Sequence, residues 1–401
     1  MSARELALDL MGRFAERTGL EGDRAPRRYL WTDAFAVCNY LSLWRETGEL
    51  RFRQLAVELV DQVHRVLGRH RADDPRRGWI SGLGAAEGAR HPTRGGLRIG
   101  KPLPERAPHE AFDERLEWER DGQYFHYLTR WMHALDQVAR RTGEPRYNRW
   151  ARELAETAHR AFAVGPPRGR HMVWKRSIDL SRELVSSMGQ HDPLDGLVAC
   201  LQLRATAAAL PGAKPEPGLD TAVDEFARLV APDRLATSDP LGLGGLLVDA
   251  ARVAQLTGQG AGAAHGDLVE LLLAAAEAGL AVYEGQRAMH GTGPLAFREL
   301  GLAMGLGALV PLEQALKGRE RGGDHGAGLA RRLEALAARA ALGTGIVSTW
   351  TDPARRRRRD WIEHEDINDV MLATCLVPDG WLVLEPVGPR DAPPPPEPGG
   401  S

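Results

Sequence analysis

Carboxyl groups, amides, imidazoles and aromatic rings crowd together at six places in this sequence, each just before an apolar run of helical spacing. The first is Trp31-Thr32-Asp33. The second runs from Glu117 to His126 and holds Glu119, Asp121, Gln123, Tyr124 and His126. The third, Ser187 to Asp195, holds Gln190, His191, Asp192 and Asp195. Ser238-Asp239-Pro240, His290-Gly291-Thr292-Gly293 and the stretch Trp361 to Asn368, with His364 and Glu365, complete the set. An Asp or Ser at a helix start also caps free N–H groups, and capping accounts well for Asp33, Ser238 and Asp239. The clusters around Asp121, Asp192 and Glu365 carry more polar groups than a cap requires. Carboxylates and amides exchange hydrogen bonds with hydroxyls while rings stack on C–H faces, so this mixture suits a hydroxyl-rich ligand.

Hydrolysis of a glycosidic bond needs one carboxylic acid to protonate the leaving oxygen and a second carboxylate to activate water or attack. Asp192 and Asp121 are the preferred catalytic pair, with Glu119, Asp195 and Glu365 as substitutes. Trp31, Asp33, Gln123, Tyr124, His126, Gln190, His191, Asp195, His290, Trp361 and His364 are the candidate substrate contacts. Epimerisation of a sugar instead needs bases near neutral pKa, which histidines supply. His126, His191, His290 and His364 keep that reading open, although each histidine taken singly reads as a hydrogen-bonded structural residue. A helical array that has lost catalysis and binds a glycan or a protein partner is a third reading.

The elements that must position these groups repeat. Thr47-Gly48-Glu49 precedes a stripe of Phe52, Leu55, Ala56, Leu59, Val60, Val63, Val66 and Leu67. Thr142-Gly143-Glu144 precedes Tyr147, Trp150, Ala151, Leu154, Ala155, Ala158, Ala161 and Phe162 in the same register, with Glu58 matching Glu153 and His64 matching His159. The spacing buries one helix face. Each Thr-Gly-Glu also follows an apolar helix (33–46 and 121–141), and its glycine can end that helix in the left-handed conformation, so the unit is a helix hairpin. Further helices are expected over 3–18, 192–210, 219–229, 240–256, 267–283, 294–316, 326–342 and 365–376, with Thr257-Gly258 as another short turn. The class expected is all-α, about twelve helices in six hairpins closing into an (α/α)6 toroid over 1–385. A disordered Pro/Gly-rich tail follows over 386–401. Weak strand signals stand near Val173 and Trp381.

Short turns at Thr47, Thr142 and Thr257 alternate with long connections over 69–118, 165–189 and 343–361. In a ring of hairpins the long connections share one face, beside the starts of the inner helices. Loops of such length are usually functional.

Trp31-Thr32-Asp33-Ala34-Phe35, the apolar helix after it, Thr47-Gly48-Glu49 and the paired helix together resemble the hairpin pattern of the six-hairpin glycosidase-like superfamily. That group holds unsaturated glucuronyl hydrolases and N-acylglucosamine 2-epimerases. The resemblance implies an (α/α)6 toroid with carbohydrate chemistry at its mouth, but no member's catalytic motif is complete in this sequence, so it assigns no catalytic residue.

Composition limits the remaining classes. With 43% hydrophobic and 26% charged residues the 401-residue chain can bury a sizeable core, and its formal net charge of −2 gives no general case for nucleic acid or membrane binding. Cys38, Cys200 and Cys375 are odd in number and lack ligand spacing, so reduced thiols are expected rather than a disulfide framework or a metal site, and no cofactor is implied. The segment from Met1 to Leu20 is interrupted by charge, which argues against a signal peptide and leaves the cytoplasm as the expected location. Arg355 to Arg359 reads as a solvated run, or as donors for an anionic substrate. Gly95 to Lys101 departs from a phosphate-loop pattern and reads as a lid. The partner expected is a small-molecule or oligosaccharide substrate.

Overall fold

The computed structural model describes residues 2–166, 168–213, 216–261, 265–290, 295–317 and 324–387. The expected tail lies almost wholly outside the described residues, as do Gly291, Thr292 and Gly293, and the side chain of His290. In chain order the helices begin with α1 (Ala3–Arg17), α2 (Leu30–Thr47), α3 (Leu50–Leu67) and the short α4 (Ala85–Arg90) and α5 (Glu114–Glu119). After strand β1 (Gln123–Tyr124) come α6 (Phe125–Thr142) and α7 (Pro145–Phe162). Four more short strands follow: β2 (Ala163–Val164), β3 (His171–Met172), β4 (Lys175–Arg176) and β5 (Glu183–Val185). The remainder is α8 (Asp192–Ala209), α9 (Asp220–Leu229), α10 (Pro240–Gly258), α11 (Gly266–His290), α12 (Ala296–Gly307), α13 (Leu309–Leu316), α14 (Asp324–Ala337) and α15 (Ala340–Thr351). The last helices are α16 (Pro353–Arg356), α17 (Arg359–Ile362), α18 (Glu365–Leu376) and α19 (Asp379–Leu382).

The Thr-Gly-Glu repeat has one physical meaning at both sites. Thr47 and Thr142 each donate their hydroxyl to the carbonyl four residues back, of Leu43 and Val138, at 2.7 Å. Each hydroxyl accepts in turn from the following Glu N–H, at 3.2 Å for Glu49 and 3.3 Å for Glu144. Gly48 and Gly143 sit at φ 72° and cap α2 and α6. The third turn differs. Helix α10 continues through Gly258, and Gly260 takes the positive φ of 82°.

Helix α2 packs on α6, α6 on α8, α8 on α10, α10 on α12, α12 on α18, and α18 back on α2. Outside these lie α3 on α2, α7 on α6, α9 on α8, α11 on α10, α15 on α12 and α1 on α18. The inner members are buried over most of their surface, and where they carry polar residues, as α6 does at His133, Asp136, Gln137 and Arg140, those side chains are buried too. Helix α2, for example, buries fourteen consecutive residues from Leu30 to Leu43.

Three expectations need correction. The stretch 343–361 is helical rather than a long loop, since Gly343, Ile346 and Trp350 bury one face of α15. The expected helix over 294–316 breaks at Ala308, with Pro311 in the first turn of α13, where a missing N–H is tolerated. The signal at Trp381 belongs to the short α19, whereas that near Val173 does give strands, in antiparallel sheets ordered β1-β4-β5 and β2-β3.

Residues 379–385 fill the space among the C-terminal halves of α2, α6 and α10. The backbone of this segment is read by side chains. Gln137 donates to the carbonyls of Gly380 and Val383, Gln255 to Leu382, Gln259 to Leu384, and Ser42 Oγ accepts from Gly380 N–H. Trp381 stacks on Phe35, centroids 3.8 Å apart, and forms a floor across the axis of the array.

Replacing Gly143 by Ala should lower unfolding free energy by about 1–2 kcal/mol, since a Cβ is strained in the left-handed conformation. Chemical denaturation would check this, and an unchanged midpoint would remove the repeat's glycine from its capping role.

Candidate functional site

Above the Trp381 floor, buried charges from three neighbouring helices meet. Asp195, one turn into α8, takes a two-pronged ion pair from Arg130 of α6, with both N–O distances 3.2 Å. Asp249, in the middle of α10, hydrogen-bonds to the Asp195 carboxyl and stands 3.6 Å from Arg252 one turn later. Asp192 opens α8 and accepts the N–H of Gly189 at 3.2 Å. Buried charges persist only when paired, and the two-pronged Arg–Asp contact is the strongest such pairing.

Crowding of carboxyls separates their proton affinities. Burial, reinforced by the charge of Asp195, pushes Asp192 up to about 8. Burial and the same neighbour push Asp249 up to about 7. At neutral pH Asp192 is therefore mainly a carboxylic acid, while Asp195 is held by Arg130. His126, in the first turn of α6, is drawn down to about 4 by burial and then by Arg130. Its Nδ1 accepts from Trp174 Nε1 at 3.2 Å, which assigns the ring proton to Nε2. His126 is thus a neutral donor. Arg130 is desolvated yet its side chain keeps 19% of its surface accessible, and His126 is half-buried, so solvent reaches the cluster from their side.

Aromatic rings line the entrance. Trp174 lies nearly parallel to His126, and Tyr124, Tyr127 and Tyr29 pack beside them, the last two joined by a 2.6 Å hydroxyl contact. Trp118, 43% exposed, meets Trp174 edge-on. The pairing of β1 with β4 fixes this arrangement, because it sets Tyr124 opposite Lys175, next to Trp174. Trp31 packs on Phe35 above the floor.

The structure brings Asp192, Asp195, His126, Tyr124 and Trp31 toward this region and leaves the other candidates elsewhere. Asp121 is a structural bolt. It accepts from Arg98, Arg71 and the N–H groups of Gly100 and Gly122, so every oxygen is engaged. Gln123 is a strut between Leu97 N–H and the carbonyls of Gly95 and Ile178. The Gly95–Lys101 stretch, expected as a lid, is buried at Leu97 and Ile99 and cannot move freely. Asp33 pairs with Arg28 and caps Tyr29 N–H, which is the capping reading. Gln190 and His191 donate to carbonyls of Arg234, Ala236 and Leu235, pinning the loop beside a cleft of about 440 Å³ between α8 and α9. Glu119 is exposed, and Glu365 pairs at 3.5 Å with Arg17 on α1. Trp361 is buried, its carbonyl accepting from Asn368, and His364 is exposed against Phe297. In the arginine run Arg357, Arg358 and Arg359 are exposed, the last beside Glu363, while Arg355 and Arg356 are half-buried, so the run is solvated only in part.

Asp249, Arg252 and Arg130 escaped the sequence reading, which looked at helix starts; they sit within helices. A signal existed: Asp249 and Arg252 are the only charged residues of α10, and a charged pair at i, i+3 in an apolar helix has to be buried with a partner. Among the described residues, all three cysteines are free thiols, no group of His, Cys, Asp and Glu side chains could hold a metal, and no helix is long and apolar enough to cross a membrane.

The chain matches no family model, no curated protein and no solved structure. Its site chemistry is read from geometry alone.

Folded-state pKa values set the pH dependence of stability. Asp192 and Asp249 bind protons more tightly folded than unfolded, so their contribution is complete below about pH 4 and is lost as pH rises through about 8 and about 7. His126 and His64, drawn down to about 4 and about 3, act oppositely, but only below about pH 6.5. From pH 6.5 to 8 the melting temperature should therefore fall, each carboxyl contributing up to roughly 1.4 kcal/mol per pH unit. Asp192→Asn should flatten that slope, and a variant with the parental slope would remove the buried acid.

Proposed function

We propose that this chain is a carbohydrate-active enzyme, a glycoside hydrolase-like (α/α)6 toroid acting on a small-molecule or oligosaccharide substrate. The cyclic packing of α2, α6, α8, α10, α12 and α18, with partner helices outside, supports the toroid reading. The observation that carries the function is the split among three clustered carboxyls: Asp192 held as an acid, Asp195 paired with Arg130, and Asp249 bonded to Asp195. Titratable groups whose surroundings drive their pKa values apart are how one site supplies both an acid and a base.

In this reading Asp192 gives its proton to the leaving oxygen of the glycosidic bond, and the Asp195–Asp249 pair takes a proton from the attacking water. Arg130 orients Asp195 through its two-pronged contact. Trp174 and exposed Trp118 offer faces for sugar rings, with Tyr124 and Tyr127 buried behind them, and His126 Nε2–H offers a donor to a hydroxyl. His126 itself argues against a histidine-based epimerase, because the indole of Trp174 occupies its basic nitrogen and burial keeps its pKa near 4.

Incubation with a panel of glycosides, followed by NMR for new reducing ends, tests the activity. Asp192→Asn should then lower turnover by about 10²–10⁴-fold, the usual worth of general acid–base catalysis, while ligand affinity survives through the amide. Asp121→Asn should instead lower the melting temperature, since it uncouples Arg98 and Arg71. Full turnover in Asp192→Asn on an identified substrate would reject the carboxyl mechanism.

A further inference from the structure

Three buried hydrogen-bond donors meet on the axis of the helix array without an acceptor: Nε and Nη2 of Arg252 and Nε1 of Trp381. Arg252 is 3% exposed and Trp381 2%. The guanidinium carbon lies over the indole face, 5.2 Å from the ring centroid, which sets the two side chains against each other. The remaining Arg252 nitrogen, Nη1, is the one nearest Asp249, and at 3.6 Å it lies beyond hydrogen-bond range. Other neighbours supply no acceptor to these atoms. Phe35 covers one indole face, and His133, edge-on to the indole, uses Nε2 on the Trp381 carbonyl and Nδ1 on Gln202.

Unanswered donors, one of them cationic, are among the most costly groups to bury. The contrast with their surroundings is sharp, because Gln137, Gln255 and Gln259 each donate to a carbonyl of the same terminal segment. Local charge points the same way. Burial lowers Arg252 only to about 10, so it stays cationic beside Arg130, while Asp192 and Asp249 are held toward their neutral forms. Two guanidinium groups thus stand beside carboxyls held toward their neutral forms, and the Arg130 side chain keeps 19% of its surface accessible.

We propose that Arg252 and the Trp381 indole N–H form an oxyanion subsite below Arg130, taking the carboxylate or phosphate of a small acidic ligand. A guanidinium fork matches either group, and both supply the acceptors that the three donors lack. Trp381 is carried by the 379–385 segment, so the subsite is complete only with that segment docked. As a substrate class, an acidic sugar rests on the proposed carbohydrate chemistry; capture of the anion does not.

The test needs no turnover. Glucuronate and glucose 6-phosphate, with neutral glucose as control, are titrated into the full chain while the indole N–H resonance of Trp381, identified by its loss in Trp381→Phe, is followed together with calorimetry. The resonance should shift saturably with at least one of the two anions and not with glucose, and the better anion distinguishes a carboxylate from a phosphate site. Arg252→Gln should weaken that binding by about tenfold or more, as loss of a charge-assisted contact does. Trp381→Phe, which keeps the stack on Phe35, should weaken it by a smaller factor. A Trp381 signal unmoved by either anion, or equal affinity in Arg252→Gln, overturns the subsite. Should Arg252→Gln fail to fold, the titration of the parental chain and of Trp381→Phe decides the matter. Turnover of a neutral glycoside without anion binding would sink the subsite alone and leave the proposed function standing.

Discussion

Buried polarity along one axis is the constraint on which the rest of this structure depends. Helices α2, α6, α8, α10, α12 and α18 pack on one another in turn, and any charge or amide between them has to find a partner within the protein. The chain meets that demand at two levels. In the lower half, side chains of α6 and α10 take up the backbone of residues 379–385. In the upper half, Arg130 pairs with Asp195, and Asp249 stands beside both Asp195 and Arg252, across α6, α8 and α10. Trp381 separates the two levels.

The same constraint ties stability to chemistry. A carboxyl forced to keep its proton by burial destabilises the fold as pH rises, yet it is the form a general acid requires. Asp192 illustrates this: little holds its carboxyl besides Gly189 N–H, and Asp195 repels its charge. Asp121 and Asp136 show the opposite solution. Each is fully buried, and each is surrounded by donors, Asp136 by Arg140, Asn148, Gln202 and Thr206, so their oxygens are committed to the scaffold. Burial does not distinguish a working carboxyl from a structural one. The number of donors spent on it does.

The loops beside His126 and Trp174 act as scaffolding. The 93–123 stretch is locked by Arg98, Asp121 and Gln123, and that rigidity sets the β1–β4 pairing which holds Trp174 against His126. The aromatic entrance is therefore built on a fixed frame, which favours a preorganised site over one assembled by loop closure.

Local rules in the sequence determined the helices. Thr-Gly-Glu fixed two hairpin turns through a hydroxyl and a left-handed glycine, and apolar spacing located α8, α10 and α18 nearly to the residue, because these depend on neighbours within a few positions. Helix starts were also legible, and with them Asp192, Asp195 and His126. Which polar groups come together was decided only by tertiary structure. Asp121 and Asp192 look alike in sequence, each an Asp beside Gly, Gln and His, but Asp121 meets two arginines arriving from residues 71 and 98, while Asp192 meets another carboxyl. Arg130, Asp249, Arg252 and Trp381 come together from positions up to about 250 residues apart. That convergence follows from how six helices close on one another, which no local spacing records.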